Sequence, residues 1–186
     1  MTSIDTPTPT NINPPQERET PPYVFPLEGV DLNARLVDRA EIGRWNPHRG
    51  NMALLDAIVW HSGDLIHGLG LKHVCEGEFW VDGHFPGRPL FPGVLMVEAG
   101  AQLANYLFLR WLSSVLGDSK NPVEMDKVAG FTRIEDTVFR EPVTVGDDLY
   151  LLSLGEKVSK RRFVSKVQGV VEGRIVFETR ITGMLF

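Results

Sequence analysis

The sequence predicts an α+β fold in which a curved antiparallel β-sheet packs on one long helix. Three observations lead there. The last third of the chain reads as three consecutive strands over 147–158, 161–171 and 174–186, with Phe163, Ser165, Val167, Gly169 and Val171 alternating with Val164, Lys166, Gln168 and Val170. Glu172-Gly173 supplies a two-residue turn between the last two runs, and Gly146-Asp147-Asp148 opens the first. A single apolar run over 94–109 is long enough for a core helix that the strands can cover.

The remaining elements follow from local chemistry. Residues 51–60 hold the cluster Met52, Ala53, Leu54, Leu55, Ala57, Ile58 and Val59, and 68–81 reads as a strand ending in Phe79-Trp80-Val81. Pro86, Gly87, Pro89, Pro92 and Gly93 then impose a stiff, irregular loop, because each proline fixes its own φ and turns the preceding residue away from helix. Pro92 suits the first helical position, where a missing N–H costs nothing. The first 22 residues carry six of the thirteen prolines and almost no large apolar side chains. Such a stretch cannot repay its ordering entropy and is expected to be a flexible arm. Residues 23–186 are expected to form one domain that includes an N-terminal extension to about residue 41.

Length and composition narrow the function. The chain has 186 residues, 42% hydrophobic and 23% charged, which fits an ordinary globular domain with one core. Nineteen Lys and Arg against 24 Asp and Glu leave a net charge of -5, so no broad surface for nucleic acid is expected. The 94–109 run contains Glu98, Gln102 and Asn105 and is too short for a membrane span. The lone Cys75 excludes an intrachain disulfide, and with no secretory signal a cytoplasmic setting is the expectation. His61, His67, His73 and Cys75 do not share the tight spacing of a zinc site and read better as turn or surface residues.

The segment from Gly83 to Gln102 carries the chemistry. The amides of Gly93 and Val94 fall in the first helical turn, where unpaired N–H groups and the positive helix end can hold a carbonyl oxygen that gains negative charge. Glycine at 93 also lets a substrate approach the backbone. Glu98, Gln102 and Asn105 follow i, i+4, i+7 and share one stripe. Such a stripe faces either solvent or an enclosed pocket. Enclosure is the reading that gives Glu98 a function: desolvation would push its carboxyl upward and leave it partly protonated, able to donate a proton near neutral pH. His84 precedes a rigid Phe-Pro-Gly turn. An imidazole there is either a surface group or a base able to take a proton from a carbon beside a polarised carbonyl.

The run Gly83-His84-Phe85-Pro86-Gly87-Arg88-Pro89, then Pro92-Gly93-Val94-Leu95, then Glu98-Ala99-Gly100-Ala101-Gln102, resembles the hot-dog-fold 3-hydroxyacyl-[acyl-carrier-protein] dehydratases. Glutamate at 98 and valine at 94 match the glutamate-containing bacterial branch. Pro47-His48-Arg49 with Leu54-Leu55-Asp56, and Phe139-Arg140-Glu141-Pro142-Val143 with Gly146-Asp147, extend the resemblance over roughly residues 42–186.

The resemblance implies a hot-dog fold and a homo-oligomer, either a dimer or a trimer of dimers, with His84 of one subunit facing Glu98 of the other. It assigns His84 as the base at C2 and Glu98 as the acid at the 3-hydroxyl. The Gly93 amide would bind the thioester carbonyl, and Gln102, Phe85 and Val94 would support the site. No metal or cofactor is implied. The substrate would arrive on the phosphopantetheine arm of acyl carrier protein, with Lys160, Arg161 and Arg162 as the basic contact for that acidic partner. Two alternatives share the fold: a hot-dog acyl thioesterase, and a non-catalytic acyl-thioester-binding protein. Gly50-Asn51-Met52-Ala53 replaces an aromatic-proline pair of the family, and the stretch 111–138 is longer than the family's.

Overall fold

A computed structural model describes residues 22–117 and 128–186. The proline-rich arm before residue 22, and the middle of the long stretch after the helix, lie outside the described residues. Among the described residues, seven strands and two α-helices follow in chain order: β1 Val37–Asp38, α1 Arg39–Trp45, β2 Ala57–His61, β3 His67–His73, α2 Gly93–Leu116, β4 Ala129–Phe139, β5 Asp148–Val158, β6 Arg162–Val171 and β7 Arg174–Leu185. All seven strands join one antiparallel sheet in the order β1-β2-β3-β5-β6-β7-β4. The sheet wraps around α2, as expected of a hot-dog fold.

The β5–β6–β7 meander matches its sequence-based bounds. Glu172 and Gly173 both take positive φ, 48° and 78°, which is the two-residue turn whose twist suits a hairpin. Register shifts at Ile58/Trp60, Gly155/Lys157 and Gly169/Val170, with two more in β4, bend the sheet.

α2 runs for 24 residues, about 36 Å, and ends where Gly117 adopts the left-handed conformation. Pro92 is its N-cap rather than its first helical residue. The helix meets the sheet at glycines that leave little room for a side chain. A Cβ at Gly100 would meet Val167 at 2.5 Å, one at Gly68 would meet Leu107 at 2.7 Å, and one at Gly70 would meet Leu103 at 3.4 Å. The run Gly68-Leu69-Gly70-Leu71 therefore turns glycines toward α2 and leucines outward.

Those outward leucines need a cover, and the chain supplies it. Tyr23, Val24, Phe25, Leu27, Val30 and Ala34 lie over Val59, Leu69, Leu71, Leu152, Val170 and Ile175 on the outer face. Gln168 fastens the segment by accepting from Val24 N at 2.8 Å and donating to Pro22 O at 3.2 Å. Tyr23 donates to Gly173 O at 2.6 Å.

The strand expected over 68–81 stops at His73. Residues 74–81 form turns organised by Glu78, whose carboxylate accepts from Cys75 N, Lys72 Nζ and Trp80 Nε1 at 2.8, 2.8 and 3.1 Å. Three donors converging on one carboxylate override the strand character of Phe79-Trp80-Val81. Burial pushes the Glu78 carboxyl up, but those donors outweigh it and hold the group below the usual carboxylate value.

Candidate active site

His84 is held from three sides. Its backbone N–H donates to Trp80 O at 2.8 Å, and its carbonyl accepts from Leu90 N at 2.8 Å. The ring Nδ1 lies 2.8 Å from the Leu90 carbonyl, which can only accept, so Nδ1 carries the proton. Nε2 is thereby left with its lone pair, the form a base requires. Phe85 stacks on the imidazole with ring centroids 4.2 Å apart.

The polar stripe of α2 is enclosed. Gln102 and Asn105 are buried, and the Glu98 side chain is only 17% exposed. Gln102 Nε2 donates to Glu98 Oε1 at 2.7 Å and to Met52 O at 2.7 Å, while its Oε1 accepts from Leu54 N at 3.0 Å. Asn46 donates to Gln102 O at 2.8 Å, and Asn105 donates to Asn46 Oδ1 at 3.0 Å. Gln102 thus stitches to the helix both Met52, in the stretch where the chain departs from the family it resembles, and Leu54 just after it.

Within one chain, the imidazole beside Glu98 is that of His48. Its Nε2 lies 3.2 Å from Glu98 Oε1. Among the described residues, no hydrogen bond or ion pair joins His84 to Glu98. The Pro47-His48-Arg49 motif was visible in the sequence. A partner fifty positions away was not.

This geometry corrects the expectation for Glu98. Desolvation does push its carboxyl upward, but hydrogen bonds from His48 and Gln102 outweigh it, and the group sits below the usual glutamate value. Enclosure is present; protonation does not follow from it.

Gly93 and Val94 open α2, so their N–H groups belong to the first turn, which has no intrahelical acceptor. The room a side chain at 93 would need is taken by Phe139, whose ring carbons lie 2.8 Å from such a Cβ. Val94 projects outward and is 74% exposed. Beside the Glu98 network lies a cleft of about 510 Å³, with Ile42, Leu55, His48 and Gln102 in its walls and Arg39, Arg44 and Arg49 around it.

Lys160 and Arg161 form the β5–β6 turn, and Arg162 begins β6. Next to them Phe163 packs on Phe108 at 5.0 Å between ring centroids. Phe108 lies ten residues beyond Glu98, about 15 Å along α2. Within one chain, this basic patch therefore sits toward the other end of the helix from Gly93.

Residues 46–180 match the FabA-like domain. This chain belongs to that family. A 3-hydroxyacyl-[acyl-carrier-protein] dehydratase FabZ of Herpetosiphon aurantiacus is 37% identical over 132 residues, covering 71% of this chain and 86% of the relative. The FabZ of Bradyrhizobium diazoefficiens is 34% identical over 160 residues, covering 85% and 97%. Among solved structures, the dehydratase heterocomplex ApeI:P from Xenorhabdus doucetiae superimposes with a TM-score of 0.61 at 15% identity, over 77% of this chain and 89% of that one. This likeness bears on the fold alone.

Proposed function

We infer that this FabA-like chain removes water from a 3-hydroxyacyl thioester carried on acyl carrier protein. The observation that carries the reading is the pairing of chemistries in one family motif. An imidazole is fixed with Nε2 free, and a largely enclosed carboxyl has a single oxygen tied down. Similarity to FabZ dehydratases over 71–85% of this chain and 86–97% of theirs supports the same reaction.

In this reading His84 Nε2 takes the proton from C2, acidified by the adjacent thioester carbonyl, which the Gly93 amide polarises. The C2–H electron pair becomes the C2–C3 double bond as the C3–O bond breaks. Glu98 gives its proton to the departing oxygen, and the products are a trans-2-enoyl thioester and water. The proton on His84 returns to Glu98 through solvent, which closes the cycle. Because Glu98 is ionised in the isolated chain at neutral pH, something must raise it. Cover by a second subunit would strip water from the carboxyl and push it up.

A second copy of this chain fits the exposed surface. Phe85, Val94, Phe131, Ile134, Val138 and Phe139 are all exposed, and β4 is an edge strand. Edge-to-edge pairing would bury those side chains and bring His84 of one copy to Glu98 of the other. A mixing experiment tests the arrangement. His84→Ala and Glu98→Gln are each inactive alone. Mixed dimers hold one intact site and one doubly altered site, so random mixing restores about a quarter of wild-type activity. Mixtures that stay inactive while exchanging subunits would show that each site lies within one chain.

Lys160, Arg161 and Arg162 are assigned to the acidic carrier. Reversing all three charges raises KM for the carrier-bound substrate and leaves KM for a short thioester analogue unchanged. Equal effects on both substrates would remove the patch from the carrier surface. The reading places the protein in the cytoplasm, where the exposed thiol of Cys75 stays reduced; fluorescence of a tagged chain in its host tests this.

A further inference from the structure

We propose that His48 is a positioning residue for the dehydration: together with Gln102 it occupies one oxygen of Glu98 and so assigns proton delivery to the other. This rests on the dehydratase reading above.

Two nitrogens converge on the same atom. Glu98 Oε1 receives Gln102 Nε2–H at 2.7 Å and faces His48 Nε2 at 3.2 Å, while Oε2 has no hydrogen bond from any described residue. Oε2 is also absent from the buried polar atoms that lack a partner, so it opens toward solvent or substrate. The carboxyl is therefore loaded on one side.

The tautomer of His48 follows from its own surroundings. Its Nδ1 is buried and has no partner. A proton there would be a buried unsatisfied donor, costing about 1–3 kcal/mol, whereas a bare lone pair costs less. The proton therefore sits on Nε2 and points at Glu98. A carboxylic acid that carries its proton on Oε2 and accepts two hydrogen bonds on Oε1 is a directed acid. Both bonds strengthen as the proton leaves and negative charge appears.

The other charged groups nearby are engaged elsewhere. Arg49 donates to the carbonyls of Asn46 and His48 at 2.7 and 2.8 Å. On α1, Arg44 pairs with Glu41, and Arg39 pairs with Asp56. On α2 the next charged residue after Glu98 is Arg110, which donates to Tyr106. Among the described residues, Gln102 donates to the Glu98 carboxyl and His48 Nε2 faces the same oxygen at 3.2 Å.

The test begins with the wild-type enzyme, whose turnover and its loss in Glu98→Gln establish the dehydratase reading by themselves. Imidazole 15N shifts of the unaltered protein then report the His48 tautomer, with Nε2–H expected; a predominant Nδ1–H overturns the inference. Next, kcat is followed against pH in three variants. Glu98 acts protonated, so kcat falls as pH rises through its pKa. Losing a donor to the carboxylate moves that alkaline limb upward, by about one pH unit.

His48→Leu and His48→Asn both lack a donor at the Nε2 position and lose roughly tenfold to a hundredfold in kcat, with KM little changed. His48→Gln places an amide N–H near the Nε2 position and restores most of the loss. A role confined to packing would lower Tm in all three without moving the limb. An active enzyme whose limb stays in place in His48→Asn, or a folded His48→Gln no better than His48→Leu, overturns this inference and leaves the dehydratase reading intact.

Discussion

The two faces of the sheet are both apolar, yet they are covered by unlike partners. The inner face receives α2, a helix that brings the Glu98 carboxyl and the amides of Gln102 and Asn105 into the interior. The outer face receives an irregular segment with aromatic and aliphatic side chains, fastened through Gln168 and two tyrosine hydroxyls. The inner cover meets the strands through apolar side chains and also carries a polar stripe bonded to Asn46 and the Met52–Leu54 stretch; the outer cover is chiefly apolar contact. Chemistry and stability are thus placed on opposite sides of the same strands. Changes in the polar stripe that α2 carries should cost turnover more than melting temperature, and changes in the outer cover the reverse.

The largest effect is expected on the inner side. His84→Ala and Glu98→Gln each lower kcat by roughly a hundredfold to ten-thousandfold, the range for losing a positioned acid or base. Glu98→Gln keeps an acceptor for Gln102, so its thermal transition should stay near that of the wild type. Circular dichroism melts beside enoyl formation make the comparison. A Glu98→Gln protein that melts far below wild type would make the stripe a structural support first.

The outer side should show the opposite pattern. Phe25 is 7% exposed, stacks edge-on against His67 with centroids 5.3 Å apart and lies 5.8 Å from Trp60. Phe25→Ala removes about 3 kcal/mol by analogy with other buried aromatics, which for a chain of this size lowers Tm by roughly 6–12 °C. Its kcat at 25 °C should stay within about twofold of wild type, because additive, distant sites rarely couple. A large loss of turnover with an unchanged melt would show that the outer cover reaches the active site.

The two faces also differed in how far the sequence revealed them. The β5–β6–β7 meander was legible because alternation and a positive-φ turn are local signals. So was the stripe of Glu98, Gln102 and Asn105, whose spacing is fixed by helix geometry. The outer cover was not legible. Gly68-Leu69-Gly70-Leu71 alternates by size rather than polarity, and its meaning depends on how closely α2 approaches. The charge on Glu98 differs from the expectation for a related reason: burial follows from apolar neighbours and Gln102 from its i+4 spacing, but the approach of His48 comes only from the three-dimensional pairing. The end of β3 was placed too late because Phe79-Trp80-Val81 has strand character. Only the assembled site shows three donors meeting at Glu78.

Glu78 also joins the two kinds of behaviour, and its expected effect is the smallest. Its Oε1 holds the buried ammonium of Lys72, its Oε2 accepts from Trp80, and the Trp80 carbonyl accepts the His84 amide. Because its folded pKa is lowered, Glu78 contributes stability that is present above the ordinary glutamate value and is lost as pH falls through the folded value. Glu78→Gln keeps one acceptor but removes the negative charge, while Asp56 still faces Lys72 at 4.0 Å. The variant should therefore be about 1–2 kcal/mol less stable near neutral pH. That gap should close as the pH falls below the ordinary glutamate value and through the lowered folded value, where wild-type Glu78 becomes protonated and neutral like the amide. Urea melts at several pH values measure it, with kcat at neutral pH falling a few-fold as the turn before His84 loosens. A gap that stays constant down to acid pH would mean that shape, rather than charge, is what Glu78 contributes to the turn.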